Sequence, residues 1–150
     1  FKAMKKIFLF LSFAMIVGVT TAFASGDPTV GPRVQQSFKN EFPQADYVIW
    51  GKDQDYFKAT FVLNDYRTEA WFSDDGELLG TARNLLYDQL PLAVMRGVEE
   101  KFPSENIIEI REITNINGTT YKMVAATKKG MFGLSATPDG EVVKTGKIKN

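Results

Sequence analysis

The sequence predicts an α+β fold made of two copies of one unit, in which a helix is followed by a four-stranded antiparallel sheet. Three observations lead to this prediction. Two apolar stripes with helical spacing begin at Val34 and Val94. Two Asp-Gly-Glu turns contain Gly76 and Gly140, and they are separated along the chain by nearly the same number of residues as the two stripes. Strand-like runs fill the intervals. Because one helix covers one face of a sheet, we expect both helices on the same face.

The helices are indicated by apolar residues that repeat at i, i+4 and i+8. Val34, Phe38 and Phe42 have this spacing and are followed at once by a proline, which cannot continue a helix. The same pattern returns in the second half of the chain and again ends at a proline, with Val94, Val98, Phe102 and Pro103. The predicted helices cover 30–42 and 91–102.

The strands are indicated by alternation and by turn residues. Phe57, Ala59 and Phe61 alternate with residues assigned to the opposite face, as expected of a strand with one buried face. Asp75-Gly76 and its counterpart Asp139-Gly140 are typical of tight turns rather than of calcium loops. The predicted strands cover 45–51, 55–64, 67–73, 77–82, 106–115, 119–128, 131–137 and 140–147. Four extra residues fall between the first two strands of the second unit.

The N-terminus has the three parts of a secretory signal. Two lysines precede an apolar run of about a dozen residues, and the small residues Ala22 and Ala24 occupy positions −3 and −1 of the expected cleavage point. The run is shorter than the roughly 20 residues that span a membrane. We therefore expect a signal peptide at 1–24, with Met4 as the natural start. The two units are predicted at 25–86 and 87–150, packed as one body because each alone is small.

Composition narrows the classes of function. The chain has no cysteine and no histidine, which removes disulfides, thiolate nucleophiles, histidine bases and Cys/His metal sites. Lysine plus arginine and aspartate plus glutamate number 18 each, and the predicted mature chain carries 15 and 18, which argues against nucleic-acid binding. We expect no cofactor, no metal and no stable membrane insertion. The mature protein is expected in the periplasm or outside the cell, without a lipoprotein anchor.

Several of these motifs together resemble a known family. They are Phe38, Phe42-Pro43, Val48, Trp50, Phe57-Lys58-Ala59, Phe61, Ala70, Phe72 and Asp75-Gly76, with weaker counterparts at Val98, Phe102-Pro103, Tyr121 and Asp139-Gly140. The chain resembles the PepSY-like, β-lactamase-inhibitor-like (BLIP-like) exported proteins of Bacteroidetes-type bacteria. The resemblance implies a tandem helix-plus-sheet architecture whose sheets form a concave surface, and a role in binding an extracytoplasmic protein or peptide.

The candidate binding site is the sheet face that the helices leave open. Neighbouring strand residues point to opposite faces, so Trp71 and Phe72 cannot both belong to the core. Phe72 matches Ala136 of the second unit and is assigned to the core, which directs Trp71 to the open face as an exposed side chain. Trp50 matches Ile110 and is also assigned to the core. The candidate binding residues are Trp71, Tyr56, Lys58, Glu69, Arg67, Tyr47 and Ile49.

This set predicts a non-enzymatic binding or inhibitory module that recognises a protein or peptide, since an exposed tryptophan among tyrosines and a lysine is typical of a binding hot spot. Three alternatives stay open. The face packs against the second unit or a dimer partner, or simply carries cross-strand aromatic pairs. Alternatively, it binds a small ligand or a surface polysaccharide by stacking on Trp71 or Tyr56, or the protein is a hydrolase with a carboxylate pair. Lys144, Lys147 and Lys149 are interpreted as a solvated terminus, and the oligomeric state stays open.

Overall fold

The computed structural model describes residues 29–103 and 106–148, and the predicted signal peptide lies outside these ranges. The described chain contains two α-helices, one short 3-10 helix and eight strands. The helices are α1 (Pro32–Glu41) and α2 (Leu92–Lys101), and the 3-10 helix is Tyr87–Gln89. The strands are β1 (Asp46–Lys52), β2 (Phe57–Leu63), β3 (Tyr66–Phe72), β4 (Leu78–Asn84), β5 (Asn106–Asn115), β6 (Gly118–Thr127), β7 (Gly130–Ala136) and β8 (Val142–Ile148).

All eight strands form one antiparallel sheet in chain order, β1 to β8. The predicted α+β class and antiparallel strands are confirmed, but the two predicted four-stranded sheets are joined into one. The junction is the pairing of β4 with β5, which runs from Gly80 opposite Asn115 to Asn84 opposite Arg111. The sheet therefore continues from one helix-containing half to the other without an edge between them.

The extra residues of the second hairpin explain this junction. Strands β5 and β6 contain 10 residues each, whereas β1 and β2 contain 7. The added length places Ile113, Thr114 and Asn115 between β4 and β6, where they pair with both strands. A hairpin as short as the first would leave most of β4 as an unpaired edge, which sheets generally avoid.

Both helices pack on the same face of the sheet. A row of directly opposite residues crosses the sheet on this face: Thr68, Arg83, Glu112, Tyr121 and Ala136. Val34 and Phe38 of α1 pack over the β2–β3 end of this face. Val94 and Val98 of α2 pack over the β5–β8 end. The helices thus cover two apolar clusters on one face and leave the opposite face open.

The two Asp-Gly turns hold the first turn of each helix against the sheet. Gly76 and Gly140 have φ values of +89° and +94°, which favour glycine. A Cβ atom added at Gly76 would lie 2.9 Å from the carbonyl oxygen of Arg33, and one at Gly140 would lie still closer to that of Ala93. Glycine is therefore needed both for the turn and for the close approach of the helix.

Candidate functional site: the open face of the sheet

The open face carries charged side chains near the centre of the sheet. Strand register places Lys58 opposite Trp71 and Glu69 opposite Thr60, all on the side away from the helices. Arg67 precedes Glu69 by two residues in β3 and shares its face. The predicted face therefore carries the predicted site residues Lys58, Arg67, Glu69 and Trp71.

Glu69 is the centre of a cationic cluster. The side chain of Arg111 donates a hydrogen bond to Oε2 of Glu69. The Nζ atom of Lys58 and the Nη2 atom of Arg67 each lie 3.8 Å from Oε1 of the same carboxylate. The side chain of Glu69 is only 15% exposed, whereas that of Arg67 is 68% exposed. One carboxylate thus faces three cations, and the outermost cation is open to solvent.

The cluster keeps one unused hydrogen-bond donor, and the strand beside it adds a further cation. The Nε atom of Arg111 is buried and has no hydrogen-bond partner among the described residues. Lys122 lies directly opposite Arg111 in the sheet and donates to the hydroxyl of Ser135 at 2.9 Å. Glu109 lies on the same face by register and brings a second acidic group. Positively charged side chains still outnumber the two carboxylates around Glu69.

Arg111 was absent from the predicted site. Its place beside Glu69 depends on the pairing of β4 with β5, which brings residues 42 positions apart into contact. The strand pattern of each half says nothing about this pairing. The one usable signal was the longer second hairpin, because its added residues form that part of the sheet.

The prediction that Trp71 is exposed was wrong. Trp71 lies on the open face by register, but it is only 8% accessible. It stands in β3, an interior strand of the sheet, between Lys58 of β2 and Gly80 of β4. The open face also holds two small buried residues, Ala82 and Val124, at 2% and 3%. Trp50, assigned to the core, is partly buried and packs against the core residue Phe38 with ring centroids 5.2 Å apart.

Tyr56 is half-buried and precedes β2, so it lies at the end of the face rather than near its centre. Its hydroxyl donates to Oδ2 of Asp53 at 2.9 Å. Burial and this hydrogen bond raise the pKa of Tyr56. The backbone N–H of Gln54 and the Tyr56 hydroxyl lower the pKa of Asp53. The phenol is therefore already engaged within the β1–β2 turn.

The strand register shows which face Ile49 lies on, but it does not do so for Tyr47. Ile49 is 66% exposed and lies opposite Thr60 on the open face. Tyr47 is 85% exposed but belongs to a β-bulge and has a φ of +54°. The bulge interrupts strand alternation, so the register does not place Tyr47 on the face that alternation predicted. The register therefore places Ile49, but not Tyr47, on the open face as an exposed apolar side chain.

The aspartates of the first Asp-Gly turn pair with cations. Lys52 forms an ion pair with Asp74, and Arg33 approaches Asp75 to 3.9 Å. Across residues 29–103 and 106–148, no three acidic side chains form a group that could hold a metal ion. In the same ranges, no helix has the length and apolar character needed to cross a membrane.

The chain matches no family model and no curated protein. Its fold is similar to solved structures from Bacteroides. A BLIP-like protein of Bacteroides fragilis has a TM-score of 0.72 and 17% identity, over 80% of this chain and 89% of that one. A Bacteroides eggerthii protein, provisionally assigned to the periplasm, has a TM-score of 0.71 and 22% identity over 78% and 88%.

A DUF2874 family protein of Bacteroides ovatus is similar to the same degree, with a TM-score of 0.71 and 22% identity over 79% of this chain and 89% of that one. At these identities the likeness establishes the fold, which is BLIP-like as the sequence motifs predicted. The PepSY-like part of the resemblance and the predicted unit boundaries stay predictions.

Proposed function

We propose that this chain is an exported, non-enzymatic module that binds a protein or peptide through the open face of its sheet. The fold is that of BLIP-like proteins, and one neighbour is provisionally assigned to the periplasm. Both points support an extracytoplasmic binding role. Fold likeness alone does not carry function, so the proposal depends on the open face itself.

The observation that carries the proposal is the cationic cluster around Glu69. Three cations surround one largely buried carboxylate, and Arg67 keeps most of its side chain exposed. Charged groups at an interface guide encounter and favour particular partners. Exposed Ile49 lies on the same face and can add apolar contact. A partner segment that combines a carboxylate with apolar side chains fits this surface.

Site-specific photo-crosslinking in the native cell envelope tests the proposal. A photoreactive residue at Ile49 or Arg67 should give one discrete crosslinked product, because both side chains are exposed on the open face. The matched control is the same residue at Gln36, which is exposed on α1. Charge reversal by Arg67→Glu should weaken the Ile49 crosslink at least tenfold. An equal product from Gln36, or no product from either open-face position, would contradict this assignment.

The alternative, a small-ligand or polysaccharide binder that uses exposed aromatics, receives less support. Trp71 is 8% accessible, and the hydroxyl of Tyr56 is held by Asp53. Stacking on a sugar ring needs an accessible aromatic face. Titration of tryptophan fluorescence with glycans separates this alternative, since the proposed protein-binding role predicts no change.

We also propose that the two halves are copies of one unit, with boundaries at 25–86 and 87–150. Each half contains a helix and then four strands. In the turn after the third strand of the first half, the N–H of Gly76 donates to the carbonyl of Ser73 at 3.0 Å. At the matching place in the second half, the N–H of Gly140 donates to the carbonyl of Thr137, also at 3.0 Å. Such matched backbone geometry supports duplication.

A further inference from the structure

A cleft at the far end of the sheet is lined by eight residues, four of which are lysines. It has a volume of about 400 Å³ and lies between the β6–β7 turn and strand β8. Lys128 and Lys129 come from the turn, whereas Lys144 and Lys147 come from β8. Met131 and Phe132 provide apolar surface. The volume is within the range of small-ligand sites.

The positive charge of this cleft is not neutralised within the described part of the chain. Its lining contains no acidic residue. None of the four lysine side chains forms an ion pair with another described residue; Lys144 lies instead over the ring of Phe132, with Nζ 3.9 Å from the centroid. Ammonium groups gathered around one cleft repel each other, and an anion between them relieves that repulsion.

The matching groove in the first half lacks this character. It has a volume of about 300 Å³ and lies near the β2–β3 turn and β4, where Asn64 and Arg83 line it. Nε and Nη2 of Arg83 donate hydrogen bonds to the carboxylate of Glu112 in β5, at 2.9 and 3.3 Å. Lys147 is the counterpart of Arg83 in the second half and pairs with β7 in the same way, but β8 is the outermost strand of the described sheet, so no neighbouring described strand brings it a carboxylate. The lysine-rich cleft is therefore a property of the second half and not of the fold in general.

We propose that this cleft binds a phosphate-bearing anion, with the ammonium groups of Lys128, Lys129, Lys144 and Lys147 contacting its oxygens. Lysine acts as a flexible point charge that suits phosphate. The predicted mature chain has more acidic than basic residues, so local arrangement rather than net charge would attract the anion. A soluble phosphate compound and a phospholipid headgroup share this chemistry. Lys144 and Lys147 lie opposite Leu134 and Phe132 on the face that the helices cover. The site is therefore separate from the cluster around Glu69, and its test does not depend on the protein-binding proposal.

Isothermal titration of the full mature protein with inorganic pyrophosphate, at low ionic strength, tests the site. A parallel arm measures sedimentation with vesicles of phosphatidylglycerol and with vesicles of phosphatidylcholine alone. The cleft variant is Lys128→Gln/Lys147→Gln, and the control Arg33→Gln/Lys39→Gln makes the same change of charge on α1. Thermal unfolding of each variant verifies that it is folded.

We expect wild type and control to bind one of the two anionic probes, and the cleft variant to bind it at least tenfold more weakly. Binding should weaken as salt rises, because salt screens exposed charges. Pyrophosphate binding identifies a soluble ligand, whereas binding only to phosphatidylglycerol vesicles identifies a headgroup. Absence of binding to both probes, or an equal loss in the control variant, would overturn the proposal.

Discussion

The two halves of the sheet bury the same positions with different side chains. Around α1 the core is mainly aromatic, and Phe38 lies 5.0 Å from Phe61 between ring centroids. Around α2 the largest fully buried side chains are Met123 and Leu134. One constant shift in residue number relates the buried positions of β2 and β3 to those of β6 and β7, so the difference there lies in the side chains and not in the pattern.

Large and small residues exchange places between the halves. Ala59 and Phe61 of β2 correspond to Met123 and Ala125 of β6, so that the large side chain moves by two positions along the strand. Ala70 and Phe72 of β3 show the same exchange with Leu134 and Ala136 of β7. Cores tolerate such changes when total volume is kept. The comparison indicates that the fold depends on which positions are buried, whereas the side chains that fill the core differ between the two helices.

Removing one aromatic side chain from the first core should give the largest effect. Phe61 is 1% exposed and packs against both Phe38 and Phe42. Phe61→Ala should lower the free energy of unfolding by about 3–5 kcal/mol, since it leaves a cavity. Adding Ala59→Met, which copies the arrangement of the second half, should recover at least about 1 kcal/mol by refilling part of that cavity. Urea unfolding measures both changes.

The control for this pair is Tyr47→Ala. Tyr47 is 85% exposed, so its loss should change stability by less than about 0.5 kcal/mol. Recovery by Ala59→Met in the Phe61→Ala background would support volume exchange between the halves. If the double variant is less stable than Phe61→Ala alone, the cores are not interchangeable in this way.

The helices differ in how closely they approach their Asp-Gly turns. The closer helix is α2, which has a glycine, Gly97, at the point of contact. A Cβ atom added at Gly97 would clash with the carbonyl oxygen of Gly140, whereas α1 has Ser37 at the matching position. Gly97→Ala should therefore cost about 2 kcal/mol through overpacking, despite the better helix propensity of alanine. Ser37→Ala should cost less than about 0.5 kcal/mol. Equal midpoints in urea for both variants would show that α2 can move away at no cost.

Much of the fold could be predicted because periodicity and turn residues are local signals. The helix predicted at 30–42 is observed at Pro32–Glu41, and the strand predicted at 106–115 has the same bounds in the structure. The junction of the two halves and the position of Arg111 depend on the long-range pairing of β4 with β5, which carries no local signal. Alternation correctly placed Trp71 on the open face, but it could not show how far its neighbours bury the indole.

Alkaline pH should distinguish the halves through Tyr121, whose counterpart in β2 is Phe57. Burial, and then the charge of Glu112, raise the pKa of Tyr121 above 10.0. Because the folded state holds this proton more tightly, its stabilising contribution is full below pH about 10 and is lost as the pH rises through the folded pKa. Tyr121→Phe should therefore lose less stability than wild type between about pH 8 and pH 11. Urea unfolding at both pH values measures this, and an equal loss in both proteins would refute the assignment.

The smallest expected difference concerns two lysines that lie over phenylalanine rings. Lys52 is 4.1 Å from the ring centroid of Phe57 and also pairs with Asp74, whereas Lys144 is 3.9 Å from that of Phe132 in the lysine-rich cleft. Each change to alanine should cost less than about 1 kcal/mol. At low salt Lys52→Ala should cost more, because it also breaks an ion pair, while Lys144→Ala relieves repulsion. Salt screens both the ion pair of Lys52 and the repulsion at Lys144, so the losses of stability in the two variants should become more alike as salt rises. If both losses change in parallel instead, the cleft lysines do not repel each other.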